Sequence, residues 1–260
     1  VAGRIAEHVR EGDGGGLVFP FTGDTDRDEG RFVRVILVDR FLQGVVVQVA
    51  VGVGWNQSGF ILGNLEASRI ALKYMTPVIL LTDGYIGQAT ESWKIPGMEE
   101  LPDLTPEFAK DPETFAPYKR DPVTLSRPWA IPGTQGLEHR IGGLEKADVT
   151  GHVSHDPMNH QKMVELRKEK IEGIVNDIPE LELTGDKEGD LLVLSWGSTF
   201  GAAKTAYDKL IDEGHKLSFA HLKYIHPFPK NLGEILFRFK RIFIPEMNMG
   251  QLKTIIQSTY

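Results

Sequence analysis

The sequence predicts an α/β protein, and three observations support that class. From Asp190 onward, apolar strand-like runs alternate with helix-like stretches over short links, a pattern that builds parallel strands joined by crossovers. Upstream, a helix-periodic segment at 64–74 feeds the continuous apolar run Val78-Ile79-Leu80-Leu81-Thr82. Such a run reads as a central strand buried on both faces of a parallel sheet. Between these regions, eight of the chain's 15 prolines fall within 96–132. Each fixes its own φ and biases its predecessor toward extended geometry, so regular structure is broken there.

Each element has a local reason. Residues 1–62 give the weakest pattern: four glycines at 12–16, a charged turn-like run at 22–31 and a valine-rich, β-prone stretch at 32–53. None shows a capped helix with an apolar stripe. Asn64 is placed to cap a helix over 66–74, with Ala67, Ile70, Ala71 and Tyr74 on one face. Thr76-Pro77 ends it. Asp156 as N-cap and Pro157 at the first helical position open a helix whose body, 159–175, sets Met163, Leu166, Ile171 and Ile174 among alternating charges. A strand follows at 191–195, then a helix at 201–213 with Ala203, Ala206, Tyr207 and Leu210 facing inward and Gly214 as its stop. The remaining elements are a strand at 217–225, a helix at 232–239, a strand at 241–245 and a helix-like segment at 250–258.

Composition excludes several functions. Lys and Arg number 29 against 36 Asp and Glu, a net charge of −7, the reverse of what phosphate neutralisation on a nucleic acid requires. With no cysteine, the chain forms no disulfide, thiolate zinc site, cysteine nucleophile or thiolate-held iron–sulfur cluster. The most apolar stretch, 45–53, is interrupted by Gln48 and is far short of the roughly 20 residues of a spanning helix. The first 16 residues include Arg4, Glu7, Arg10, Glu11 and Asp13 and lack a signal peptide's apolar core. The expectation is a cytoplasmic protein. Because the chain opens on Val1 rather than Met, a fragment is also expected.

Five motifs bear on chemistry. Gly52-x-Gly54 begins like a dinucleotide fingerprint, but Gln57 occupies the third glycine position, which favours a plain glycine-rich loop. Gly197-Ser198-Thr199-Phe200-Gly201 follows a strand and opens a helix, yet a hydrolase elbow needs serine where Thr199 stands. A capping role for Ser198 or Thr199 is favoured over an anion site at that helix start. His152-x-x-His155 with His160 suggests a metal only if the rings converge, and the first two precede the helix cap in irregular chain. His226-Pro227-Phe228-Pro229 ends a strand at the edge where α/β sheets bind ligands; a ligand contact and a structural turn are equally open. Glu246 and Asn248 follow the last strand at the same edge. With His226 they are candidates for an interface or pocket wall rather than an acid–base pair. No catalytic, cofactor-binding or metal-ligating residue is assigned.

Longer runs resemble the alpha subunits of 2-oxoacid:ferredoxin oxidoreductases. They are Glu66-Ala67-x-x-Ile70-Ala71-Leu72-Lys73-Tyr74-Met75-Thr76-Pro77-Val78-Ile79-Leu80 with Asp83-Gly84-Tyr85-Ile86, and Arg127-Pro128-Trp129-Ala130-Ile131-Pro132-Gly133-Thr134. Gly136-Leu137-Glu138-His139-Arg140-Ile141-Gly142-Gly143 and Asp156-Pro157-x-Asn159-His160-Gln161-Lys162-Met163 belong to the same set. So do Trp196-Gly197-Ser198-Thr199, His226-Pro227-Phe228-Pro229 and Glu246-Met247-Asn248-Met249-Gly250-Gln251-Leu252. The 2-oxoglutarate branch is the most similar.

The resemblance implies an oxidoreductase that converts a 2-oxoacid, here 2-oxoglutarate, and coenzyme A to acyl-CoA and carbon dioxide while reducing ferredoxin. Thiamine diphosphate is shared with a beta subunit that holds the diphosphate, its Mg and the iron–sulfur cluster. The implied organisation is an unassigned, corrupted or disordered 1–62, the end of a pyrimidine-side thiamine domain at 63–95 and a linker at 96–155. A surface helix and connection at 156–189 and a small parallel-sheet transketolase C-terminal-like domain at 190–260 follow. The upstream Tyr-Pro-Ile-Thr-Pro and Arg-Gly-Gly-Pro-Ser-Thr-Gly segments of the family are missing from this sequence, so a fragment inactive on its own is expected. The rival readings are a non-catalytic oligomerisation or scaffold module of the same fold, and a hydrolase using Thr199 and His226.

Overall fold

The computed structural model describes residues 10–12, 16–18, 49–52, 57–82, 84, 97, 99 and 101–260. The chain divides into two units, Val1–Arg40 and Phe41–Tyr260. In the first, β1 (Arg10–Gly12) pairs antiparallel with β2 (Gly16–Val18).

The second unit begins with a strand–helix–strand crossover. β3 (Val49–Gly52) leads to α1 (Gln57–Tyr74) and then β4 (Val78–Leu81), with β3 and β4 parallel. The helix starts seven residues before Asn64, which therefore lies inside it rather than at its cap. Gly59 and Gly63, poor helix formers, hid this first part from the sequence pattern. Ile70 and Tyr74 are buried as the periodicity predicts. β4 departs from expectation: it is an edge strand of the order β4-β3-β8, and Ile79 and Leu81 are 42% and 36% exposed. Its apolar run thus has one open face among the described residues.

Residues 101–155 run without helix or extended sheet, yet their turns are specified chemically. Asp111 accepts from Glu113 N and Thr114 Oγ1, and Asp121 accepts from Val123 N, Thr124 N and Thr124 Oγ1. Two Asp-Pro-x-Thr steps therefore form the same side-chain-closed turn. The Trp129 indole donates to Leu72 O at 2.9 Å, tying this stretch to the end of α1. The next helix is α2 (Pro157–Gly173), capped by the Asp156 carboxylate accepting from Met158 N. Met163, Ile171 and Ile174 are fully buried or nearly so.

The C-terminal sheet contains β5 (Leu183–Thr184), β6 (Gly189–Trp196), β7 (Ser218–Leu222) and β9 (Phe239–Phe243), in the order β5-β7-β6-β9. β6 is parallel to both neighbours, and β5 is antiparallel to β7. Helix α3 (Phe200–Asp212) packs on one face through Ala203, Tyr207 and Leu210 against Val193, Leu217 and Phe219. Ala206 points outward instead of inward. Gly214, at φ 87°, donates to Ile211 O and ends the helix in the left-handed turn that glycine favours. The other face holds α4 (Leu232–Phe237) and α5 (Gln251–Thr259) over Leu192, Leu194 and Leu222.

The single strand expected at 217–225 is divided. After Leu222 the chain passes to β8 (Tyr224–His226), which pairs antiparallel with β3 in the other sheet. Alternation along a strand sends neighbours to opposite sides. Tyr224 joins a cluster with Ile70, Tyr74, Ile171, Ile174 and Ile178, whereas Ile225 joins the core under α4 and α5. β8 thereby links the two cores.

Asn231 acts as a side-chain substitute for a strand neighbour. Its Oδ1 accepts from Leu181 N at 2.8 Å and its Nδ2 donates to Leu181 O at 3.0 Å. Asn231→Ala should lower the stability of the chain by about 1–3 kcal/mol by leaving that peptide unpaired. A shift of the urea midpoint at unchanged slope checks this.

Candidate functional site

In an open α/β sheet, ligands gather at the carboxyl ends of adjacent strands whose chains leave toward opposite faces. β6 leads to α3 on one face and β7 leads on to α4 on the other, so their carboxyl ends define such a crevice. Ser195 and His221 meet there as register partners. Ser195 is fully buried, and its Oγ lies 2.9 Å from His221 Nδ1 and 3.4 Å from Ala220 O. Phe200 packs edge-on against the imidazole, with ring centroids 4.9 Å apart. Burial, reinforced by the Lys223 charge, pulls the His221 pKa down to about 4.

This pair lacks the features of a nucleophile and base. His221 Nε2 is buried with no hydrogen-bond partner, so no carboxylate orients the ring. Protonation would place a charged N–H against nothing that accepts it, which explains why the ring stays neutral. Neither residue was a candidate from the sequence. The i to i+26 spacing carries no local signal, and only the parallel register brings the two together.

The sequence candidates separate in space. Thr199 Oγ1 donates to Trp196 O at 2.7 Å and accepts from Trp196 N at 3.3 Å, closing the turn that starts at Gly197. Its hydroxyl thus serves the turn, and the described residues give it no base. Glu246 and Asn248 also serve backbone. The Glu246 carboxylate accepts from Leu252 N and Lys253 N at the start of α5, and Asn248 Oδ1 accepts from Gly250 N. A carboxylate at a helix start is stabilised by the exposed N–H groups and the helix dipole.

His226 ends β8 opposite Ala50, in the three-stranded sheet rather than at the edge of the C-terminal one, and is followed by a cis bond to Pro227. It and the two polar residues after β9 therefore belong to different sheets' ends. His160 Nδ1 lies 2.6 Å from Glu145 Oε2. Among the described residues no group of three or more His, Asp or Glu could hold a metal ion. Gly54 and the approach to Gln57 lie outside the described residues.

The best-connected polar group is elsewhere. Arg69 Nε and one terminal nitrogen contact both Glu66 oxygens at 2.7 and 2.8 Å, and the other terminal nitrogen reaches Asp177 at 2.8 Å. Lys73 also donates to Asp177, at 2.7 Å, and the Tyr224 hydroxyl donates to Glu66 at 3.0 Å. The Glu66 hydrogen bond raises the Arg69 pKa above its ordinary value, against the effect of burial. Burial would raise Asp177, but hydrogen bonds from Lys73 and Arg69 win and lower it. The network joins α1, the chain after α2, and β8.

Comparison with known proteins places this architecture. The family described as "Pyruvate flavodoxin/ferredoxin oxidoreductase, thiamine diP-bdg" matches residues 56–158. "Pyruvate:ferredoxin oxidoreductase core domain II" matches residues 189–260. The 2-oxoglutarate oxidoreductase subunit KorA of Mycobacterium tuberculosis is 50% identical over 199 residues, covering 75% of this chain and 30% of that protein. The chain belongs to the alpha-subunit family of 2-oxoacid:ferredoxin oxidoreductases. A 2-oxoacid:ferredoxin oxidoreductase alpha subunit of Aeropyrum pernix is 29% identical over 201 residues, covering 74% of this chain and 31% of that one. The solved 2-oxoglutarate:ferredoxin oxidoreductase from Magnetococcus marinus, with 2-oxoglutarate, coenzyme A and succinyl-CoA bound, superposes with a TM-score of 0.75. It is 27% identical and covers 81% of this chain and 37% of that one. The chain spans about a third of the length of these curated relatives. The first family match begins at residue 56, in step with α1 starting at Gln57, and so reaches further upstream than the motifs at 66–86.

His221 makes the stability of the C-terminal sheet pH-dependent. Its folded pKa, about 4, lies below the ordinary imidazole value of 6.5, so the unfolded chain binds the extra proton first. This contribution is complete above pH 6.5 and is lost as pH falls toward 4. Denaturation midpoints across that window should fall less steeply in His221→Gln than in the parent.

Proposed function

We propose that this chain forms part of the alpha subunit of an enzyme that oxidatively decarboxylates 2-oxoglutarate, transferring the acyl group to coenzyme A and the electrons to ferredoxin. The supporting observation is the ordered pair of family matches along one chain, together with the 50% identity to a 2-oxoglutarate oxidoreductase subunit. In this reading the protein acts in the cytoplasm. Its partner is a beta subunit that holds the diphosphate of thiamine diphosphate, the associated Mg and the iron–sulfur cluster.

The described residues do not by themselves fit the coenzyme. Glu66 in α1 and Asp177 beside it, both partly buried carboxylates, are occupied by cations, so neither is free to hold an aminopyrimidine nitrogen. The chain has no cysteine to ligate a cluster. Its own contribution is a framework: α1 and the edge strand β4 on one side, the C-terminal sheet on the other, joined through Arg69 and β8. The open face of β4, with Ile79 and Leu81 exposed, is a surface on which further parts of the assembly would pack. His226, Glu246 and Asn248 are proposed to lie along the walls of that assembly.

The test is reconstitution. The purified chain alone should show no 2-oxoglutarate-dependent reduction of ferredoxin or a viologen dye. Co-expressed with a cluster-bearing beta subunit, it should co-purify as a brown complex. Turnover by the chain alone contradicts the proposal, and failure to retain any such subunit favours the scaffold reading.

A further inference from the structure

An open groove of about 1330 Å³ runs between the end of α1 and the turns of 103–129. Its wall includes the cations Arg69, Lys73, Lys110, Lys119, Arg120 and Arg127. The first two are neutralised by Glu66 and Asp177. The acids nearest in sequence, Asp111 and Asp121, spend their carboxylates closing their own turns. The six cations outnumber the four acids of the same wall, Asp103, Glu107, Asp111 and Asp121, and Arg120 and Arg127 form no ion pair with any of them.

Arg120 and Arg127 meet at Tyr118. The Arg127 guanidinium lies 4.6 Å from the centroid of its ring and the Arg120 guanidinium 5.9 Å. Arg120 is held by Leu125 O at 3.3 Å and the Met163 sulfur at 3.5 Å, while its Nε is buried without any partner. Among the described residues Arg127 has no ion pair and no hydrogen bond. Lys170 is within electrostatic reach of both and donates to Met75 O at 3.1 Å. Arg167 adds a fourth positive charge.

The anions close by do not balance them. Glu145 is shared between Arg167 and His160, and Asp148, whose charge also acts on Arg120, is engaged by Lys162 at 2.5 Å. Desolvation first, then repulsion by Arg120, Arg127 and Arg167, pulls Lys170 down to about 8. Bringing several cations together half-buried with no carboxylate paired to Arg120, Arg127 or Lys170 is unfavourable unless something anionic completes the set.

We propose that Arg120, Arg127 and Lys170 form an oxyanion site that takes a phosphate group. Two guanidinium forks and an ammonium offer the directed donors that a tetrahedral, multiply charged oxyanion accepts. Cation–π contact with Tyr118 holds both guanidinium groups near one another before the anion arrives. The phosphate could arrive as a free inorganic anion or as part of a nucleotide, and the same chemistry serves both.

Lys170 supplies the readout. At pH 8 and fixed ionic strength, the full chain is treated with a limiting acylating ester, and modification of Lys170 is followed by peptide mass mapping. The exposed Lys253 of α5 is the internal control. Inorganic pyrophosphate and ADP are titrated separately, with sodium chloride as the ionic-strength match. Occupancy restores a counter-charge and moves Lys170 back toward an ordinary lysine, so its acylation should slow by about five-fold or more while Lys253 is unchanged.

Protection by pyrophosphate at lower concentration than ADP assigns the site to free anions, and the reverse order assigns it to nucleotides. In Arg127→Gln, compared with and without anion, the protection should be lost. Arg127→Lys should retain only part of it, because the charge remains and the fork is gone. Protection no greater than that given by sodium chloride, or protection that survives in Arg127→Gln, overturns the proposal. The parent titration is decisive by itself should the variant fail to fold.

Discussion

The structure of the second unit depends on the charge balance at Arg69. Its guanidinium occupies both oxygens of Glu66 and one of Asp177, and the three side chains are only 21–24% exposed. Charges withdrawn this far from water are tolerated only when every partner is present. α1, the segment after α2, and Tyr224 of β8 are therefore locked in one mutual arrangement. Directly beside the network sits the apolar cluster of Ile70, Tyr74, Ile171, Ile174 and Ile178. That cluster supplies the non-directional attraction, and the ion network supplies the orientation.

This arrangement explains how the two family-matched stretches cohere. Glu66 and Arg69 belong to the first stretch, Tyr224 belongs to the second, and Asp177 lies in the connection between them. The division of 217–225 into two strands has the same origin. Tyr224 reaches Glu66 and packs with Ile70 and Tyr74, in the strand that pairs with β3 rather than continuing in the C-terminal sheet. At the crevice of that sheet, Ser195 Oγ, His221 Nδ1 and Thr199 Oγ1 are turned to neighbours or to the backbone, and His221 Nε2 is buried without a partner. On the proposed reading, the chain's own role in the reaction is to shape and hold, with the reactive groups supplied by the rest of the assembly.

Much of this was legible in the residues, for identifiable reasons. The Asp156-Pro157 cap, the Gly214 stop and the strand core at 191–195 rest on local chemistry that neighbours do not override. The buried face of Ile70 and Tyr74 followed from helical spacing alone. What escaped detection needed information at long range. The start of α1 was hidden by Gly59 and Gly63, whose weak propensity is overcome by the β3–α1–β4 crossover. The edge position of β4 and the passage of β8 into another sheet are pairing choices that no local pattern encodes. The backbone contacts that Glu246 and Asn248 make at the start of α5, two to seven residues away, likewise gave no signal in the sequence. The Ser195–His221 pair and the cations around Tyr118 were invisible because parallel register and turn packing assemble them from distant positions.

The most direct measurement of the organising claim is a double-mutant cycle on Arg69 and Asp177. Arg69→Met, Asp177→Asn and the double variant would be unfolded in urea alongside the parent. A network that fixes the unit predicts strong non-additivity, with a coupling of about 1–3 kcal/mol and the double variant more stable than the sum of single losses implies. Additive losses would show that the two side chains act independently, and that the apolar cluster alone orients α1 on the rest of the fold.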